Sequence, residues 1–367
     1  MPLGVALGGG EEMLRHLLRN GRGLGVEWMV VFLRDGPLVA EFRALGVECH
    51  LIDAGRFRDV VRRVGAVRRV AALARERRVA LILGWMVAGQ ATAGPAALIA
   101  GVPCVWYQVG TPRPDWLDRF STLFPARGVL VLSREGAAAQ KRIWPGRQTR
   151  LVYPGVPLDA LEQVRAMDPV ALRSTLGLPR DVPLVGIVGR LQRWKGIHVF
   201  LDAVAEARQT RGDLHAVVVG GPHETEPAYL AELGTQAERL GISGAVKFVG
   251  FQSNATVWMQ AMDVVVHASD HEPFGIVVVE AMALGKPVVA GAAGGPTEIV
   301  TDGTDGLLAP YGDSRAVAAA MLRFLAEPGF AAACGGAARA RAQQFSDIAY
   351  ARNVVRVLRD LAGTPEP

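Results

Sequence analysis

Short apolar runs rich in β-branched residues alternate along this chain with longer helical patterns, and most of those runs are continuous rather than alternating. Continuous apolar strands belong to parallel sheets covered on both faces, which need a helical crossover between successive strands. The strands expected first are Leu3–Leu7, Trp28–Leu33, Glu48–Asp53, Ala80–Gly84, Cys104–Gln108, Val129–Leu132 and Leu151–Tyr153. The later ones are Leu184–Val188, Ala216–Val219, Val246–Val249, Val264–His267, Pro287–Ala290 and Gly306–Ala309. Helices over Pro37–Leu45, Val60–Ala74, Gly196–Arg208 and Phe274–Leu284 supply crossovers. The string VYPGVP at Val152–Pro157 breaks the pattern with two prolines and a glycine. The fold class is therefore α/β built twice, with domains over 1–153 and 154–344.

The length of 367 residues agrees with two domains at about 150 residues each. Half the chain is hydrophobic and 20% is charged, which excludes wholesale disorder. Cys49, Cys104 and Cys334 are far apart, so neither a disulfide framework nor a structural zinc site is expected. The net charge of +5 rests on 36 arginines and only four lysines. Such a field attracts phosphates, nucleic acid or anionic lipid without choosing among them.

From Val79 to Pro112 there is no charged residue. Glycines, prolines and polar residues interrupt that stretch, so it reads as strand, loop, helix and strand in a globular core rather than as a span. The start, MPLGVALGGGEE, has neither a basic n-region nor a long apolar stretch, and reads without a signal peptide. Arg56–Arg78 carries nine arginines against Asp59 and Glu76. Val60, Val64, Val67, Ala71 and Ala74 are spaced there as one buried stripe. The arginines fit either a solvated helix face or a peripheral contact with an anionic membrane. The expected location is cytoplasmic, with a peripheral seat at the inner face of the cytoplasmic membrane.

The densest chemistry lies between Asp263 and Asp313. A buried strand delivers the chain to Ser269-Asp270-His271-Glu272, and a helix opens near Phe274. Its first-turn N–H groups lack intrahelical partners and sit at the positive dipole end, which suits a phosphate. Glu280 follows Glu272 after seven intervening residues. Two carboxylates so placed suit a ligand with an anionic middle and hydroxyl-rich ends. Glu280 flanks the apolar string PFGIVVV and is expected near the sheet, where burial is costly unless it is paired.

A second site is GRLQRWKG at Gly189–Gly196, after the strand Leu184–Val188. Arg190 offers a forked guanidinium to phosphate oxygens, and Lys195 a compact mobile charge. Ligands bind open parallel sheets at the carboxyl ends of strands, so both sites would border one crevice.

GRLQRWKG followed by HEPFGIVVVEAMALGKPVVAGAAGGPTEIVTDGTDGLL closely resembles the nucleotide-sugar site of the retaining glycosyltransferases of family four. GGEE near the start, VYPGV at the linker and FSDIAYARNVVRVL at the end extend a weaker resemblance over most of the chain. The resemblance implies the GT-B fold, two Rossmann-like doubly wound domains facing across a cleft. It also implies a tail, Phe345–Leu361, that packs back on the first domain.

The implied donor is a nucleotide-diphosphate-sugar, UDP- or GDP-linked, held by Gly189, Arg190, Lys195, Glu272, Phe274, Gly275, Ile276 and Glu280. Arg190 and Lys195 would neutralise the diphosphate, Glu280 take the ribose hydroxyls, Glu272 face the transferred sugar, and Val249, Gly250 and Phe251 line the base. Glu272, Arg190 and Lys195 form the implied catalytic set. The resemblance implies a retaining transfer to a hydroxyl acceptor by front-face attack, with lipid-linked sugars, growing polysaccharides and small metabolites all open as acceptors. It calls for no metal, no resident cofactor and no nucleic acid. The acceptor-side residues are Gly9, Gly10, Gln108 and Val109.

Two departures stand out. Many relatives carry a histidine near the transferred sugar, in a string like WWQHG, where this chain reads Trp106-Tyr107-Gln108-Val109-Gly110, so either Gln108 or Tyr107 substitutes or the sugar contacts and turnover differ. Only seven residues precede Gly8-Gly9-Gly10, fewer than the family's usual lead, which implies a shortened acceptor-side loop or a truncated start. Val109 motivates one alternative, a nucleotide-sugar-binding protein of impaired turnover. A sugar-nucleotide epimerase of the same fold is another. A dinucleotide oxidoreductase fails because Met13 stands where the third glycine of its fingerprint belongs.

Overall fold

The computed structural model describes residues 8–56 and 58–363. The expected strand Leu3–Leu7 lies outside the described residues. The chain separates into two compact units, Met1–Gly155 with Asp347–Pro367, and Val156–Ser346.

The first unit holds strands β1 (Met29–Phe32), β2 (Glu48–Leu51), β3 (Ile82–Trp85), β4 (Cys104–Gln108), β5 (Val129–Val131) and β6 (Thr149–Leu151). They form a parallel β1-β2 pair and a parallel sheet ordered β3-β4-β5-β6. The last strand begins before its expected position, because its ladder follows β5 from Val129 only to Val131. β3 runs directly into the helix Met86–Ala100 with no loop, and Met86 makes the turn at a φ of 60°. That helix buries Ala91, Ala93, Ala96 and Ala97, so the uncharged stretch is indeed core. No single described helix is long and apolar enough to cross a membrane.

The arginine-rich helix Val60–Glu76 buries Ala66, Val67, Val70, Ala71 and Ala74. The expected stripe is corrected at its start, where Val60 and Val64 are exposed by 66% and 44%. The closing helix Asp347–Ala362 belongs to the same unit. Asn20 Nδ2 donates to Asp347 Oδ2 at 2.8 Å, and Arg359 donates to the carbonyl of Leu24 at 2.7 Å. Burial raises the Asp347 pKa, but His16 and Asn20 outweigh it and hold the carboxyl below its ordinary value.

The second unit holds β7 (Leu184–Val188), β8 (His215–Val219), β9 (Val246–Phe248), β10 (Val264–His267), β11 (Val288–Gly291) and β12 (Leu307–Ala309). They make one parallel sheet ordered β12-β11-β10-β7-β8-β9. The chain runs outward from β7 through β8 to β9, then returns to β7's other edge as β10. The connections therefore part between β7 and β10, and their carboxyl ends form the topological switch point of this sheet. Val185, Val217, Val265 and Val289 fill its middle at about 1% exposure or less.

Candidate active site

Two loops leave the switch point side by side. After β7 the chain runs through Gly189 and Arg190 to a short turn, Arg193–Lys195, and then to the helix Ile197–Thr210. Gly196 makes that turn at a φ of 71°, where a Cβ would lie 2.0 Å from the carbonyl oxygen of Ala268. Only glycine allows the two loops to approach this closely. Asp270 N donates to the Trp194 carbonyl at 2.8 Å and ties them together.

After β10 the chain passes Ala268 and Ser269 to Glu272, then opens the helix Ile276–Ala283 at Gly275, whose φ is 111°. The amides of Val278 and Val279 both return to the Gly275 carbonyl. Those of Ile276 and Val277 lie in the first turn, which has no intrahelical acceptors to give them. Gly295 N donates to the Glu272 carbonyl at 2.8 Å and fixes that loop to the one after β11.

Glu272 is the centre of the charge arrangement. Its Oε2 is ion-paired with Lys195 Nζ and lies 3.1 Å from His267 Nε2. Ser269 Oγ also stands 3.1 Å from His267 Nε2. Lys195 Nζ sits 4.1 Å from the centre of the Trp194 ring. Burial pushes the Glu272 pKa up, but Lys195 and His267 overcome it and hold the carboxyl well below the usual carboxylate range. The site thus keeps a fixed anion and a fixed cation beside a helix start.

The other expected donor residues are distributed around this pair. Arg190 is exposed, with Nη1 3.4 Å from His223 Nε2 in the loop after β8. Gly189 N donates to the Val219 carbonyl and Gly220 N to the Gly250 carbonyl, both at 2.9 Å, which aligns the loops after β7, β8 and β9. Val249 N continues that ladder to Val218, and Phe251 is 71% exposed beside Gly221.

One expectation is corrected. The Phe274 ring is buried against Phe345 at 5.6 Å, so only its backbone is left for a ligand. Glu280 is half-buried on the side of its helix shared with Ile276 and Val277.

In the first unit the structure brings Gly10 and Val109 together. A Cβ on Gly10 would meet Val109 Cγ1 at 3.0 Å and Met86 Cε at 2.4 Å. Gly9 opens the same helix, Gly9–Asn20. Gln108 is buried, and its Nε2 donates to Asp118 at 2.9 Å. Tyr107 is fully buried, and burial raises its hydroxyl pKa beyond the ordinary range. Neither side chain is free to stand in for the family histidine.

Sequence reasoning missed His267 and Trp194. A histidine closing an otherwise all-valine strand, followed by Ser269 and Glu272 at i+2 and i+5, is the signal that could have found the first. Among the described residues no three His, Cys, Asp or Glu side chains converge as a metal-ligand group.

Residues 171–341 match the family model described as glycosyl transferases group 1. This segment is a group 1 glycosyl transferase domain. Among curated proteins, this chain is 38% identical over 202 residues to the D-inositol 3-phosphate glycosyltransferase of Streptomyces avermitilis, covering 53% of this chain and 43% of that one. It is 40% identical over 199 residues to its Mycobacterium avium counterpart, covering 53% and 45%. The chain spans about half the length of the curated relatives it matches.

Solved structures extend the likeness beyond the group 1 domain. Anabaena Alr3699/HepE, solved in complex with UDP, aligns at a TM-score of 0.86 with 26% identity over 98% of both chains. Sucrose-phosphate synthase from Thermosynechococcus elongatus aligns at 0.83 with 26% identity, over 99% of this chain and 96% of that one. The fold is GT-B, with one parallel-sheet unit on each side of the linker.

Proposed function

We propose that this chain is a retaining, metal-independent glycosyltransferase that moves a sugar from a nucleotide-diphosphate-sugar, with UDP favoured, to a hydroxyl acceptor. The observation that carries the reading is the Lys195–Glu272 pair at the switch point, beside the helix start at Gly275. Solved complexes of the similar Anabaena protein with UDP and with UDP-glucose support the choice of base.

In this reading the Ile276 and Val277 amides and Lys195 receive the diphosphate. An ammonium has three donors, so Lys195 can keep Glu272 and still take a phosphate oxygen. As the anomeric C–O bond breaks, negative charge grows on the leaving diphosphate. Lys195, Arg190 and the helix start stabilise that charge more than they stabilise the bound donor, which lowers the barrier. Glu272 faces the transferred sugar through Oε1, Glu280 takes the ribose hydroxyls, and Phe251 with Val249 and Gly250 bounds the base. The acceptor is a glycan or lipid-linked hydroxyl bound by the first unit near Gly9, Gly10 and Val109. Arg56–Arg78 supplies peripheral contact with an anionic membrane.

The test is incubation of the purified chain with UDP-glucose or GDP-mannose and simple sugar or polyol acceptors, with and without a chelator, followed by NMR of the product. A product of retained anomeric configuration, formed equally with chelator, is expected. An inverted product, or loss of turnover with chelator, overturns the mechanistic part of the reading.

A further inference from the structure

The helix Trp116–Leu123 in the first unit is packed inside out. Its acidic and hydroxyl residues are buried, with Asp118 7%, Ser121 0% and Thr122 1% exposed. Its large apolar residues are outside, with Trp116 68%, Phe120 42% and Leu123 61% exposed. At 3.6 residues per turn the three outer side chains fall within about 60° of one another, opposite the buried polar set.

Hydrogen bonds fix this orientation. Asp118 accepts from Gln108 Nε2 at 2.9 Å and from Arg113 N at 2.7 Å. Thr122 Oγ1 donates to the Asp118 carbonyl at 2.7 Å, and Ser121 Oγ donates to the Val87 carbonyl at 3.5 Å. Turning the helix over would bury Trp116 but strand Asp118 without these partners, so the apolar stripe is held outward. Single exposed apolar residues are ordinary on any protein. Three such residues on one helix face, held outward by a buried polar network, form an apolar stripe open to a partner.

Charge selects the occupant. The first unit carries 25 lysines and arginines against 15 acidic residues, and the second carries 15 against 20. The whole cationic excess of the chain therefore belongs to the unit that bears this stripe. Arg113 and Arg119 are exposed on or beside the helix itself. The helix Met86–Ala100 packs against both Trp116–Leu123 and the arginine-rich Val60–Glu76. A second copy of this face would set like charges against one another. An anionic bilayer meets both demands, since its headgroups attract the arginines and its interface accepts tryptophan, phenylalanine and leucine.

We infer that the Trp116–Phe120–Leu123 stripe inserts into the headgroup region of an anionic membrane, with the arginines of the first unit drawing the chain to the surface. This deepens the membrane contact read from Arg56–Arg78 and does not depend on the donor site.

Vesicle flotation tests it with three proteins: the wild-type chain, the triple variant Trp116→Ser/Phe120→Ser/Leu123→Ser, and the double variant Arg68→Glu/Arg69→Glu. Phosphatidylcholine vesicles are compared with phosphatidylcholine–phosphatidylglycerol vesicles. The wild type is expected to bind only the mixed vesicles, and lipids brominated near the headgroup should quench its tryptophan fluorescence. The triple variant should keep its melting temperature, bind roughly tenfold or more weakly, and lose that quenching. Wild-type binding that the triple variant matches and the arginine variant loses would overturn insertion and leave only the electrostatic contact. No wild-type binding to mixed vesicles would overturn both. A lipid-free wild-type dimer that the triple variant dissolves, seen by sedimentation, would assign the stripe to self-association instead.

Discussion

Lys195 and Glu272 stand 77 positions apart in sequence yet form an ion pair, one from the loop after β7 and the other from the loop after β10. Their side chains are only 15% and 14% exposed. A pair so sheltered is costly to break from one side, because the remaining charge keeps its desolvation without its partner. Replacing Lys195 by Gln should therefore lower stability by roughly 1–3 kcal/mol as well as weaken nucleotide binding. Urea unfolding checks the first effect and titration with UDP the second. Unchanged stability would mean that the pair is looser than its geometry implies.

The same pair has a pH signature. Its partners depress the folded-state pKa of Glu272 below the ordinary 4.5. The stabilisation it contributes is therefore complete above the unfolded-state value and is lost as pH falls toward the lower folded-state value. The wild type should therefore keep this stabilisation from about pH 7 to about pH 5, whereas in Lys195→Gln burial raises the Glu272 pKa and the gap narrows as that carboxyl takes up a proton. Urea midpoints of the wild type would contradict this if its stabilisation were lost near neutrality.

His267 holds Glu272 from behind the pair without standing in the open part of the site. His267→Asn should lower kcat by roughly tenfold to a hundredfold, through misplacement of Glu272, while the donor KM changes little. His267→Gln, which can carry an N–H nearer to the original Nε2 position, should recover part of the loss. A variant that raised the donor KM and spared kcat would place His267 in binding instead.

Glu280 is assigned to binding rather than to chemistry. Glu280→Ala should raise the donor KM by about tenfold, with a smaller change in kcat. Unchanged donor kinetics would show that its ribose role is misassigned.

Val109 lies against Gly10 at the place where the family resemblance implies a histidine, while Gln108 is bound to Asp118 and Tyr107 is fully buried. The wild-type chain should show measurable transfer, and Val109→His should gain less than about tenfold in kcat. A much larger gain would favour the reading of a nucleotide-sugar-binding protein with impaired turnover.

The parallel sheets were legible because Leu184–Val188, Val264–His267 and Cys104–Gln108 are unbroken apolar runs of strand length, and their ladders fall on those residues. Glu272 and Lys195 were legible as candidates because glycine and proline punctuate the loops that carry them. Their mutual pairing was not, since nothing local records which strands become neighbours. Phe274 illustrates the same limit, since its ring serves the core at Phe345 while its backbone serves the helix start. The helix Trp116–Leu123 was opaque for a different reason. An amphipathic pattern shows that a helix has two faces, and it took Gln108, Val87 and Gln140 to decide that the polar one is inside.

Every role assigned to the Lys195–Glu272 site requires that it bind a nucleotide, which a thermal-shift comparison of wild type with Glu280→Ala and Lys195→Gln reads without turnover. UDP, GDP, ADP and TDP would be compared at matched concentrations, together with their sugar conjugates. A nucleotide at a hundred times its Kd adds about 2.7 kcal/mol to folding stability if it does not bind the unfolded chain. The wild type should respond to one base, UDP before the others, and both variants should lose most of that response. A wild type that responds to none of them, or variants that respond as strongly as it does, would rule out nucleotide binding at this pair.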